Sequence, residues 1–147
     1  MKATAQARAA ARLAAVQALY QLDMEDTPMA SLLDEFHRHR LGAEIEGDQY
    51  AEAEVAFFDD VVKGVAARRD EIDDLLSAKL AEGWRIERLD RTMLQVLRAG
   101  TYELLARADV PTGSAISEYV DVAHAFFEAR EAKFVNGVLD AVAKAVR

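Results

Sequence analysis

The chain has 147 residues, of which 52% are hydrophobic, enough to bury a core in one domain or in two tightly packed halves. It has no Cys, which excludes a disulfide scaffold and a thiolate metal site, and no window approaches the roughly 18 uncharged apolar residues a membrane span needs. A net charge of −8 repels a polyanion at long range, so any nucleic-acid contact has to be a local patch.

The sequence reads as helix almost throughout, because apolar residues recur at three-and-four spacing and strict alternation is nowhere sustained. A first helix is expected over about Thr4–Leu22, rich in Ala, with Leu13, Val16, Leu19 and Tyr20 towards one side. Arg8 and Arg12 interrupt this Ala-rich start, so no secretory apolar segment is expected there, which fits a cytoplasmic protein. Thr27-Pro28 is a start signal, an N-cap hydroxyl followed by Pro, and Leu32, Leu33 and Phe36 follow it at helical spacing. Residues 40–49, with two Gly and no period, predict a loop. A third helix is predicted over about Tyr50–Arg68 and a fourth over about Asp70–Leu80, broken by Gly83. A long helix is predicted over Ile86–Ala106, ended by Asp109-Val110-Pro111. Ser114 is expected to cap a sixth helix, and a last helix starts near Arg130.

Asn136-Gly137, between Phe134-Val135 and Val138-Leu139, is also a strong hairpin signal. The period of four through Phe134, Val138 and Val142 favours helix across it, with Gly137 then allowing another helix to come close. The expectation is an all-α protein of about seven helices in two packed small bundles, a single domain with halves near 1–68 and 69–147.

Charge is distributed unevenly. Residues 1–22 carry Lys2, Arg8 and Arg12 and no acid, whereas residues 23–60 carry twelve acids against Arg38 and Arg40. The acidic stretch reads as a solvated surface.

The sequence holds no catalytic or metal-binding pattern. His37 and His39 are two residues apart, on different sides of a helix, where a metal pair needs three or four. His124 sits near an apolar face and reads as a core histidine. Gly113-Ser114-Ala115 lacks the second Gly of a nucleophile elbow, and no glycine-rich phosphate loop is present. Adjacent acids such as Asp59-Asp60 and Asp73-Asp74 diverge on a helix. No enzyme activity, cofactor, metal or small-molecule substrate is expected.

Four segments, taken in order, carry a resemblance. Ala11-Arg12 with Ala15-Val16-Gln17-Ala18-Leu19-Tyr20 comes first. Leu97-Arg98-Ala99-Gly100-Thr101-Tyr102-Glu103-Leu104 follows, then Asp109-Val110-Pro111 with Ala115-Ile116-Ser117-Glu118-Tyr119-Val120, and last Lys133-Phe134-Val135-Asn136-Gly137-Val138-Leu139-Asp140. In order and spacing they resemble the NusB family of bacterial transcription antitermination factors over nearly the whole chain, with the least signal in 23–50 and 81–88. The resemblance implies an all-helical pair of small bundles and binding to the boxA element of ribosomal RNA operon leaders as single-stranded RNA. It further implies action with NusE, a small-subunit ribosomal protein, in a complex that joins RNA polymerase and helps it read through terminators.

Carried over by position, the family's RNA surface falls on Arg8, Arg12, Gln17, Tyr20, Arg98, Arg130, Lys133 and Phe134. Unpaired RNA needs cations for phosphates and flat groups for stacking, and these residues offer both. Tyr20 and Phe134 also lie on apolar stripes, where core packing is an equal expectation, and Arg98 suggests either a helix-edge Arg or an internal pair with Glu103 or Asp109. Arg8 and Arg12, four apart on one face, are expected to be exposed and to meet phosphates, so that their replacement leaves stability nearly intact. The family's partner contact falls on Glu87, Asp90 and Arg91, where charge reversal at Glu87 and Asp90 is expected to spare stability. Relatives often carry a dense Arg cluster where this chain has Ala7, Ala9 and Ala10, so the partner is expected to supply much of the RNA affinity. The alternative reading is a helical protein–protein adaptor without an RNA role.

Overall fold

The computed structural model describes residues 2–41 and 48–147, with side chains for 6–39 and 54–147. Among the described residues the fold is all-α, as the spacing predicts, with seven α-helices and no strand. The chain divides into two compact units, residues 1–64 and 65–147.

The first unit holds α1 (Lys2–Met24), α2 (Met29–Phe36), a π-helical turn (His37–Leu41) and most of α3 (Asp48–Ala67). α1 buries Ala11, Ala14, Ala15, Val16, Ala18 and Leu19, a mostly small-side-chain face on a sequence with the highest helix propensity. α2 adds Leu32, Leu33 and Phe36, and α3 adds Phe57, Phe58, Val61 and Val62. The Phe36 and Phe58 rings stack with centroids 5.5 Å apart. His37 Nε2 lies 2.6 Å from Asp59 Oδ1, a use for this histidine that its sequence spacing does not reveal.

Two expectations are corrected here. Thr27 does not cap α2; Pro28 holds the N-cap position with φ −60° and ψ 140° and no side-chain hydrogen bond, and its carbonyl accepts from the Leu32 amide. The loop expected at 40–49 is partly helical, since Arg40 and Leu41 finish the π turn and Asp48 already opens α3. Its remaining residues, 42–47, lie outside the described ones.

The second unit holds α4 (Arg69–Lys79), a 3-10 turn (Ile86–Arg88), α5 (Arg91–Ala106), α6 (Thr112–Phe126) and α7 (Ala129–Val146). α5 is its axis: every residue from Met93 to Leu104 is buried, and α4, α6 and α7 pack around it. The buried charged groups of α5 are paired, while the buried Thr101 hydroxyl has no hydrogen-bond partner among the described residues. The Tyr119 hydroxyl donates to Glu103 Oε2. At the C-terminal end of α5, the Arg147 guanidinium donates to the carbonyls of Glu103, Leu104, Arg107 and Val110 and to Thr112 Oγ1, satisfying groups that a helix end leaves open.

Further corrections follow from local geometry. The long helix starts at Arg91 rather than Ile86, because Asp90 takes the N-cap and its Oδ1 accepts from the amides of Thr92 and Met93. Ser114 is not a cap; α6 begins at Thr112 after Pro111, leaving Ser114 exposed in the first turn. α7 runs unbroken through Asn136-Gly137, so the helical reading holds. The close approach, however, belongs to Gly100. A Cβ there would lie 2.8 Å from Leu139 Cδ1, while one at Gly137 would meet nothing within 4 Å. His124 is exposed, not a core residue.

Candidate nucleic-acid interface

In the first unit, α1 places Arg8 and Arg12 one turn apart, and α3 supplies what they touch. Arg8 Nε donates to Glu54 Oε1 at 2.8 Å, and its guanidinium carbon sits 4.4 Å from the centre of the Phe57 ring. The Arg12 guanidinium carbon is 5.0 Å from the same centroid. Arg12 is only 5% exposed, and Arg8 keeps 29% of its side chain in solvent. The expectation that both are exposed is thereby corrected, and since both guanidinium heads lie over an aromatic ring, their removal is now expected to cost stability. Gln17 is half-buried, and Tyr20, expected equally in the core, is 39% exposed.

In the second unit, a cavity of about 620 Å³ is lined by Trp84, Arg88, Leu89, Asp90, Met93, Phe127, Arg130, Glu131 and Phe134. The Trp84 and Phe134 rings are 6.3 Å apart between centroids and tilted by 42°. Trp84 is 55% exposed, the most exposed of the large apolar side chains described. Arg130 keeps 92% of its side chain in solvent, with one long contact of 3.4 Å to Glu131, and Lys133 is exposed. The two acids of the lining have local duties. Asp90 is the N-cap of α5, and Glu131 forms a capping box with Glu128 at the start of α7. Hydrogen bonds from its own backbone amide, then from that of Glu128, hold the Glu131 carboxyl below the ordinary value, with Arg130 adding to the effect.

Arg98 stands apart from these. It is 4% exposed and forms a two-bond pair with Asp73 of α4, Nε to Oδ1 at 2.9 Å and Nη2 to Oδ2 at 2.8 Å. Of the partners expected from sequence, Glu103 binds Tyr119 and Asp109 binds Arg107. Of the partner-contact candidates, Glu87 is exposed on the 3-10 turn, while Arg91 donates to the carbonyls of Ile86, Glu87 and Leu89 and so fastens that turn to α5. Charge reversal at Asp90 is therefore expected to cost stability, since losing an N-cap costs about 0.5–2 kcal/mol.

The NusB family model matches residues 9–144. The chain belongs to the NusB family. It is 79% identical over 141 residues to the transcription antitermination protein NusB of Novosphingobium aromaticivorans, covering 96% of this chain and 95% of that one. With the NusB of Sphingopyxis alaskensis it shares 66% identity over 147 residues, covering 100% and 99%. Among solved structures, T. maritima NusB superposes with a TM-score of 0.77 at 33% identity, covering 93% of this chain and 90% of that one. NusB from a complex of NusB and NusE with double-stranded RNA gives 0.79 at 26%, covering 95% and 98%.

Against the NusB pattern, the cavity of the second unit joins residues that sequence reasoning had kept separate, since Arg130 and Phe134 came from the RNA set and Asp90 from the partner set. It also adds Trp84 and Arg88, which that reasoning missed. Trp84, the only Trp in the chain, lay in a stretch of weak family signal and off any helical period. Its aromatic type beside Arg85 and Arg88 was the available clue. Glu54 and Phe57 were missed for another reason: both read as ordinary helix positions until α1 is set beside them.

Proposed function

We propose that this NusB-family chain is a transcription antitermination factor that binds boxA-type single-stranded RNA of ribosomal RNA leaders together with NusE, promoting read-through by RNA polymerase. The observation that carries this is the cavity where Trp84, Phe127 and Phe134 present rings beside Arg88 and Arg130. Stacking faces with cations close by are what an unpaired strand requires. Tyr20 and the partly exposed Arg8 of α1 offer the same two chemistries in the first unit. The related NusB solved with NusE and double-stranded RNA supports NusE and RNA as partners, and the preference for a single strand rests on the rings and cations of the cavity. Lys133 and Gln17 belong to the proposed RNA set, and Glu87 to the partner set. The role is binding rather than catalysis, exercised in the cytoplasm where the polymerase works, with the two units serving as one functional domain. Among the described residues, no helix is long and apolar enough to cross a membrane.

Trp84 provides its own reporter. A boxA-type RNA oligomer added to the protein should quench its fluorescence, and NusE should tighten the binding. Trp84→Ala should cost about 1–3 kcal/mol of RNA affinity, the worth of one stacked base. The same oligomer annealed to its complement should bind less well. NusE binding with no RNA affinity, alone or in the ternary mixture, would reject this reading and leave a protein–protein adaptor.

A further inference from the structure

Glu54 is 0% exposed, and only one of its carboxylate oxygens is used among the described residues: Oε1 accepts from Arg8 Nε, whereas Oε2 has no hydrogen-bond partner. A half-satisfied buried carboxylate is costly to keep for stability alone. Its surroundings indicate what it does. The Arg8 head lies over the Phe57 ring at 4.4 Å and the Arg12 head over the same ring at 5.0 Å, so one aromatic ring carries both guanidinium groups and the carboxylate holds that of Arg8. Arg8 is bound through Nε, the inner nitrogen, so its pairing does not consume the two terminal nitrogens that a phosphate would take.

We propose that Glu54 is a positioning residue for RNA binding: it fixes the Arg8 guanidinium on Phe57 so that the outer edge meets an RNA phosphate already oriented. The proposal rests on the reading of α1 as an RNA surface. An arginine free in solution loses rotamer freedom when it binds phosphate, and one held beforehand has already lost it, which is worth roughly two- to tenfold in affinity per side chain.

The sign of one substitution separates positioning from simple charge. Glu54→Gln keeps the volume and removes a negative charge next to a cation. Electrostatics alone therefore predicts tighter binding to RNA. Positioning predicts weaker binding, by roughly two- to tenfold, with the slope of log K against log salt falling by up to about 0.7, the share of one phosphate on a single strand. The experiment measures binding of a boxA-type single-stranded RNA oligomer over a salt series for wild type, Glu54→Gln, Arg8→Ala, Arg8→Lys and the Arg8→Ala/Glu54→Gln double variant, each checked by thermal melting. The expected result is a loss for all four variants, with the double no weaker than Arg8→Ala. Arg8→Lys, which leaves Glu54 untouched, covers the case in which Glu54→Gln does not fold: it keeps the charge but not the fork, so a retained affinity and slope would overturn the proposal. So would a Glu54→Gln variant that binds RNA as tightly as wild type or tighter while Arg8→Ala binds weakly; the RNA reading would then survive without the positioning role. If Arg8→Ala itself binds normally, the reading of α1 fails and the proposal falls with it.

Discussion

Arg12 and Arg130 are the same residue type in opposite surroundings. Arg12 is packed against Phe57 with 5% exposure, while the Arg130 side chain is 92% exposed. Replacing Arg12 by Ala removes a guanidinium–ring contact and the apolar packing of its stem, and should lower stability by about 1–3 kcal/mol. Arg130→Ala should stay within about 0.5 kcal/mol. Urea unfolding of the two variants checks this, and equal midpoints would contradict it. The distinction is not readable from the sequence. The four-residue spacing of Arg8 and Arg12 does say that they share a face, but the residue that binds Arg8 lies 46 positions away. Helical periodicity carries no information about which face of another helix arrives there. Arg98 was legible only in part: a lone charge among apolar residues allowed an edge position or an internal pair, and the pair that forms is with Asp73, 25 positions away, and not with Glu103 or Asp109.

At the scale of elements, the helices were legible and their ends less so. Apolar periodicity reports the middle of a helix, whereas an end depends on which backbone groups find a cap. Asp90 terminates one helix pattern at a residue that the period runs straight through. The two glycines invert the sequence expectation in a measurable way. Gly137→Ala, on an open surface of α7, should stabilise by up to about 1 kcal/mol through helix propensity. Gly100→Ala gains the same propensity but drives its Cβ into Leu139 within a filled core, and should destabilise by about 1 kcal/mol net. Thermal melts that rank the two variants the other way would refute the packing described for α5 and α7. The start of α7 offers a pH test. The Glu131 carboxyl is held below its usual 4.5 by the capping amides, so its contribution is complete above that value and is lost as pH falls through the lower, folded one. A carboxyl NMR titration of Glu131 should give a midpoint under 4.5, and a midpoint at or above it would mean that the capping box does not hold in solution.

For the whole molecule, the issue is how a chain of net charge −8 would bind the polyanion proposed for it. The answer proposed is local: a few arginines held in place or set beside aromatic rings, with the partner protein supplying the remainder. The all-helical architecture and the basic start of α1 could be read from composition and spacing. The cavity around Trp84 could not, because its lining comes from the 3-10 turn and the segment before it, the start of α5, the α6–α7 junction and the first turns of α7, which only the fold assembles. The most direct test of the account is transcription itself. In a reaction with RNA polymerase, NusE and a template carrying a boxA leader ahead of a terminator, adding this protein should raise the fraction of read-through transcripts, and a mutated boxA should abolish the gain. Read-through that is unchanged by the protein, under conditions where it binds both the RNA and NusE, would contradict the account.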